Sequence, residues 1–216
     1  MRRIVVAFLL CLATLLFGGC SRQAQRDRAT ISCIDLLGNM PVGTTLEYAM
    51  TIGTSKPSAL NWRLNSREWI NNYQYVNYTV MDDELAHRHT ISFAANPAGG
   101  LMVSEIYEQE RPMPTLFLSK PVIFTSQQLL AANPYQGLRW EDHLKEGQVI
   151  LHQVTHVWTG PSGERMVTLM RQEGNEESLY TFSTVRGLIE QRLYETIGKQ
   201  SKHLLREMTL QRLSKN

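Results

Sequence analysis

Apolar and polar residues alternate with a period of two along most of the chain beyond residue 34, the repeat of a strand with one buried face. In Thr45–Ile52, Leu46, Tyr48, Met50 and Ile52 share one face, opposite Thr45, Glu47 and Thr51. Asn72–Met81 carries three tyrosines and two valines, and its phase slips between Tyr75 and Val76, which predicts a bulge there. Leu85–Phe93 puts Leu85, Ile91 and Phe93 on one face, and Leu101–Glu108 reads as a further strand. After Gly147, strands are predicted over Val149–Trp158, Met166–Arg171, Leu179–Ser183 and Leu188–Glu195, with a last one over His203–Leu213. The breaks between them, Gly160-Pro161-Ser162-Gly163, Glu173-Gly174-Asn175 and Arg186-Gly187, have turn chemistry. Turn signals at this spacing predict a mainly β domain, an antiparallel curved sheet forming an open barrel or a sandwich.

Helical signals are few. Ser126–Ala132 predicts two turns with Ser126 as N-cap. Gln109–Pro121 holds Pro112, Pro114 and Pro121 and reads as a crossing loop or an edge. Trp62 and Trp69 flank Arg63 and Arg67 in a less regular stretch, where a mobile lip is expected. The block Gly100–Glu108 echoes Gly187–Glu195 at Gly, Leu, Tyr and Glu, which predicts two similar strand modules over 43–108 and 137–195.

The first twenty residues follow a different pattern. Met1-Arg2-Arg3 is basic, Ile4–Phe17 is an uncharged apolar run of 14, and Gly18-Gly19-Cys20 follows. About 20 residues are needed to span a bilayer, so the run has the length of a secretory signal rather than a spanning helix. This segment resembles the signal of bacterial lipoproteins, with Phe17 at the leucine-like position of the lipobox and Leu16 one place earlier. The resemblance implies a signal peptide over 1–19, acylation of the Cys20 thiol and a membrane anchor; Ser21 next to it implies sorting to the outer membrane, on the periplasmic side. A Cys20–Cys33 disulfide in a soluble periplasmic protein is the other reading of these cysteines. Ser21–Ser32, polar and carrying Arg22, Arg26 and Arg28, is expected to be a flexible tether within 20–33, with a single folded domain over 34–216.

The later half is also similar to a loose group of uncharacterised bacterial envelope lipoproteins, through Gly137 and Trp140, Pro161-Ser162-Gly163, Tyr180 and Phe182, and Gly187-Leu188. That similarity implies a curved antiparallel sheet and brings no activity with it.

Composition narrows the classes further. At 43% apolar and 19% charged the 216 residues are typical of a globular chain. Lys plus Arg is 22 against 20 acidic residues; without Arg2 and Arg3 the counts are 20 and 20, which gives no support to a nucleic-acid partner. No phosphate loop, nucleophile elbow or zinc-protease motif is present. In His152-Gln-Val-Thr-His156 a glutamine stands where that last motif has its glutamate.

Four histidines fall on apolar faces by alternation: His87 and His89 beside Ile91, and His152 and His156 beside Ile150, Val154 and Trp158. Converging neutral imidazoles could bind a divalent metal completed by a carboxylate, line a polar ligand cavity, or be hydrogen-bonded wall and rim residues. Asp82-Asp83-Glu84 and Glu176-Glu177 are expected in solvated turns. No catalytic residue and no cofactor is assigned. The expected role is an anchored, non-enzymatic binding or assembly module for an apolar ligand or an envelope protein. The alternatives are a histidine-dependent metal protein or hydrolase, and a purely structural envelope protein.

Acylation is directly measurable. The intact mass of membrane-extracted protein is expected to fit a chain starting at Cys20 plus acyl mass, and Cys20→Ala should abolish that addition; a mature species without acyl mass would refute the anchor.

Overall fold

The computed structural model describes residues 31–82, 87–96, 100–108, 122–124, 134–143, 147–197 and 201–215, of which 82, 87–89, 102–108 and 122–124 are described by their backbone alone. These residues form twelve strands: β1 (Thr44–Ile52), β2 (Ser58–Ile70), β3 (Tyr73–Asp82), β4 (His87–Ala95), β5 (Leu101–Glu108), β6 (Val122–Phe124), β7 (Arg139–His143), β8 (Val149–Thr159), β9 (Arg165–Glu173), β10 (Glu176–Ser183), β11 (Gly187–Ile197) and β12 (Ser201–Lys215). All join one open antiparallel sheet in the order β6-β5-β4-β3-β2-β1-β12-β11-β10-β9-β8-β7. Two six-stranded meanders therefore stand side by side in the same order, and the pairing of β1 with β12 is their seam. The mainly antiparallel β class expected from alternation is what the molecule shows. Among the described residues the only helical turn is a 3-10 turn over Asp35–Leu37. The helix expected at Ser126–Ala132 and the loop at Gln109–Pro121 lie outside the described residues.

Both meanders open with the same local geometry. Gly43 and Gly137 take φ of 89° and 91°, a region closed to most side chains. Their N–H groups donate to the carbonyls of Leu64 and Val154, each at 2.8 Å. Directly after those acceptors the second strand of each meander carries one extra residue, Asn65 in β2 and Thr155 in β8. The echoed blocks Gly100–Glu108 and Gly187–Glu195 fall on β5 and β11, the fifth strand of each meander.

Aromatic rings run across the inner face. Tyr48 on β1 meets Trp62 on β2 at 4.9 Å, Trp62 meets Tyr78 on β3 at 5.8 Å, and Tyr78 meets Phe93 on β4 at 6.0 Å. Phe93 then meets Phe182 on β10 edge-on at 6.1 Å. Since β4 and β10 are six places apart in the sheet, this contact means that the sheet folds over and buries one face against itself. Tyr48 Oη donates to the Leu188 carbonyl at 2.7 Å, which satisfies its hydroxyl in the core.

The N-terminal segment wedges between the halves. Ile31, Cys33, Leu36, Leu37 and Met40 are all buried in the shared core, at about 1.5–3 kcal/mol for each large side chain removed from water. Among the described residues the core thus takes in Ile31 and Cys33, so Cys33 belongs to the core rather than to a tether. Apolar residues this close to a polar run escape a reading based on composition. The Asp35 carboxylate accepts the Ser32 N–H at 2.8 Å and closes the 3-10 turn. Gly38, with φ of 71°, then lies backbone to backbone on Gly187, and Asn39 N–H donates to the Val185 carbonyl at 2.8 Å. The Cys33 thiol hydrogen-bonds the backbone of Gly100, and burial pushes its pKa up. The segment thus touches both Gly100 and Gly187, the glycines that head the echoed blocks.

Two strand expectations are corrected. The stretch holding Trp62 and Trp69 is strand β2, not a lip: Trp62 is 3% exposed, in the core, while Trp69, at 57%, stands at the hairpin tip. Leu60, Trp62 and Leu64 do alternate, but the extra residue Asn65 breaks the phase before Trp69. Nor does β3 bulge between Tyr75 and Val76, where its pairing with both neighbours is continuous; the bulge sits opposite, on β2.

A Cβ on Gly38 would stand 2.4 Å from the Gly187 nitrogen, whereas one on Gly163 would meet nothing within 4 Å. Gly38→Ala is therefore expected to cost about 2–5 kcal/mol in urea unfolding, from backbone strain and overpacking together. Gly163→Ala should cost only about 1–2 kcal/mol, from its positive φ alone.

Candidate functional site

The most distinctive polar group in the core lies where the second meander departs from the first. Trp62 stands three residues before the β2 bulge and pairs with Leu46; His152 stands three residues before the β8 bulge and pairs with Trp140. In the first meander this position belongs to the aromatic core. In the second it holds an imidazole. Leu60, Trp62 and Val80 correspond by register to Ile150, His152 and Arg171, and Tyr48 to Asp142. A charged cluster thus replaces apolar contacts.

His152 is 0% exposed. Its ring stacks on Trp140 at 4.9 Å with an interplanar angle of 7°. Its Nε2 lies 3.0 Å from Asp142 Oδ2. Arg171 sits opposite His152 on β9 and is itself ion-paired with Glu173. Burial, and then the charge of Arg171, hold the His152 pKa down to about 4, so the imidazole is neutral at physiological pH. Burial also raises the Asp142 pKa, against the opposing pull of Arg171 and His143. The contact with Asp142 favours a proton on Nε2. A neutral imidazole held by a carboxylate and stacked on an indole is well oriented, but burial keeps it from meeting a solute directly. Its chemistry as placed is that of an acid-sensitive core element.

His156 does not join His152 here. His156 is exposed, because the extra residue Thr155 turns the strand over between Val154 and His156. The face expected to hold both His152 and His156 is therefore split: Val157, not His156, continues the inner row. His87 and His89 sit on β4 at positions paired with Asp82 and Val80, and their side chains lie outside the description. Among the described residues no group of three or more His, Cys, Asp or Glu is placed to hold a metal ion. Asp142 and Arg171 escaped sequence reading because only strand register brings them beside His152. The signal available was the alternation Trp140, Asp142 on a short strand.

Two further clusters matter. Glu177, expected in a solvated tip, is buried and accepts both of its hydrogen bonds from Lys202 Nζ at 2.7 Å. Glu164, also buried, accepts from Arg186 Nε at 3.1 Å and from the Ser183 hydroxyl. Ser183 Oγ in turn accepts the N–H groups of Val185 and Arg186 at 3.1 Å. The Arg186 bond holds the Glu164 carboxyl below its usual range. This network fixes the β10–β11 turn against which Gly38 packs.

Since the folded His152 pKa is lowered, the unfolded chain binds more protons between about pH 6.5 and 4. The stability it contributes is complete above pH 6.5 and is lost as pH falls towards 4, by roughly 3 kcal/mol if Asp142 takes up no compensating proton. Denaturant midpoints measured across pH 4–7 should show this acid limb, and His152→Leu should flatten it; an unchanged slope in the variant would exclude His152 as its source.

No known family and no curated protein matches the sequence. Two solved structures are similar. One is a candidate lipoprotein of Parabacteroides distasonis, with 10% identity and a TM-score of 0.40 over 82% of this chain and 98% of that one. The other is an exported protein of Bacteroides fragilis described as having a YmcC-like fold, with 10% identity and a TM-score of 0.42 over 83% of this chain and 99% of that one. At this level of similarity neither supports a conclusion about function.

Proposed function

We propose that the chain is an envelope lipoprotein, held by acyl chains on Cys20 at the periplasmic face of the outer membrane. Its sheet, built from two copies of one strand module, serves as a non-enzymatic binding or assembly module for an apolar ligand or another envelope protein. One observation carries the reading. The residues that follow the tether are locked into the body at both meanders, through Cys33 at Gly100 and Gly38 at Gly187. An anchor at Cys20 would lie eleven residues before Ile31, the first of these core residues. The lipobox signal and an antiparallel sheet whose outermost described strands are β6 and β7 support the same reading.

Native mass spectrometry of the detergent-extracted protein tests it. The expected spectrum contains a complex with a lipid-like ligand or a stoichiometric envelope protein that survives gentle activation. A bare monomer under all extraction conditions would overturn the binding role.

A further inference from the structure

We propose that the sheet end at which the chain enters is a lipid-contact surface, resting on the same bilayer that receives the acyl chains of Cys20, with Trp69, Ile70 and Trp158 at headgroup level. This deepens the anchored reading above and rests on it. The antiparallel order places the β2–β3, β4–β5, β8–β9 and β10–β11 turns at one end. Ile31–Gly43 lies at that end too, since Gly38 packs on the β10–β11 turn and Cys33 bonds Gly100 in the β4–β5 turn.

Among the described residues, Val42, Trp69, Ile70, Tyr135, Trp158 and Val185 are exposed apolar side chains at this end. Both exposed tryptophans are included, 57% and 40% exposed, while Trp62 and Trp140 are buried. Indole and phenol rings favour the membrane interface, where one side of the ring is apolar and the other wet. Trp69 and Ile70 project on a tight hairpin whose turn residues Asn71 and Asn72 both take positive φ, so the tip is stiff.

The length of the connection selects a bilayer as the occupant. The eleven steps from Cys20 to Ile31 reach at most about 40 Å when fully extended, so an anchor at Cys20 keeps this end, where the chain enters, within that distance of the lipid.

The test uses the mature, membrane-extracted protein in vesicles of phosphatidylcholine and phosphatidylglycerol, with and without brominated acyl chains, and reads its intact mass in parallel. Bromolipid is expected to remove up to roughly half of the tryptophan emission, since two of the four tryptophans lie at the contact. The Trp69→Phe/Trp158→Phe double variant retains only Trp62 and Trp140, and its emission should be insensitive to bromolipid. Acylated protein with unquenched emission overturns the contact and leaves the anchor standing. Quenching without acyl mass upholds the contact and overturns the anchor. Undiminished quenching in the double variant also overturns the contact, by placing lipid elsewhere.

Discussion

A sheet with one apolar face must cover that face, and in this molecule it does so by folding over on itself. Phe93 against Phe182 is a ring contact that joins the two meanders across the interior. Two strongly twisted sheets leave space between them where their strands diverge. Ile31, Leu36 and Leu37 fill such a space, and the backbone approach of Gly38 to Gly187 lets them in. The Glu164–Arg186–Ser183 network holds the receiving turn in shape. The segment Ile31–Met40 is therefore part of the core rather than an appendage to it.

The two halves share their opening glycines, their bulges and their strand order, yet they differ where it matters chemically. The first packs Tyr48, Trp62, Tyr78 and Phe93 into a continuous aromatic row. The second sets His152 and Asp142 where the first has Trp62 and Tyr48, and Trp140 and Arg171 where it has Leu46 and Val80. A neutral histidine beneath an indole conserves the flat shape of the row. It also brings a carboxylate and a guanidinium to a place where the first half has a phenol and a valine.

Much of the fold was legible from alternation and turn chemistry. The hairpins around Gly160–Gly163, Gly174 and Gly187 needed only local signals, and the sheet class followed from them. What stayed hidden depends on partners. A bulge is a property of a strand pair, so Asn65 concealed most of β2 and Thr155 reversed the face assigned to His156. The Asp142–His152–Arg171 cluster joins three strands whose register no single segment reveals. Ile31 and Cys33 were read as tether because their neighbours are polar, although what decides their place is a pocket built by residues far along the chain.

The seam between β1 and β12 has a consequence for assembly. Each meander can form by successive neighbouring hairpins, which is local and fast, but the seam joins a strand near residue 48 to one near residue 210. A chain emerging N-terminus first holds β1 without its β12 partner until Ser201–Lys215 arrives. During that wait β1 is a template for any extended segment nearby. The molecule is therefore most open to mispairing and to holding chaperones between the appearance of its first strand and its last.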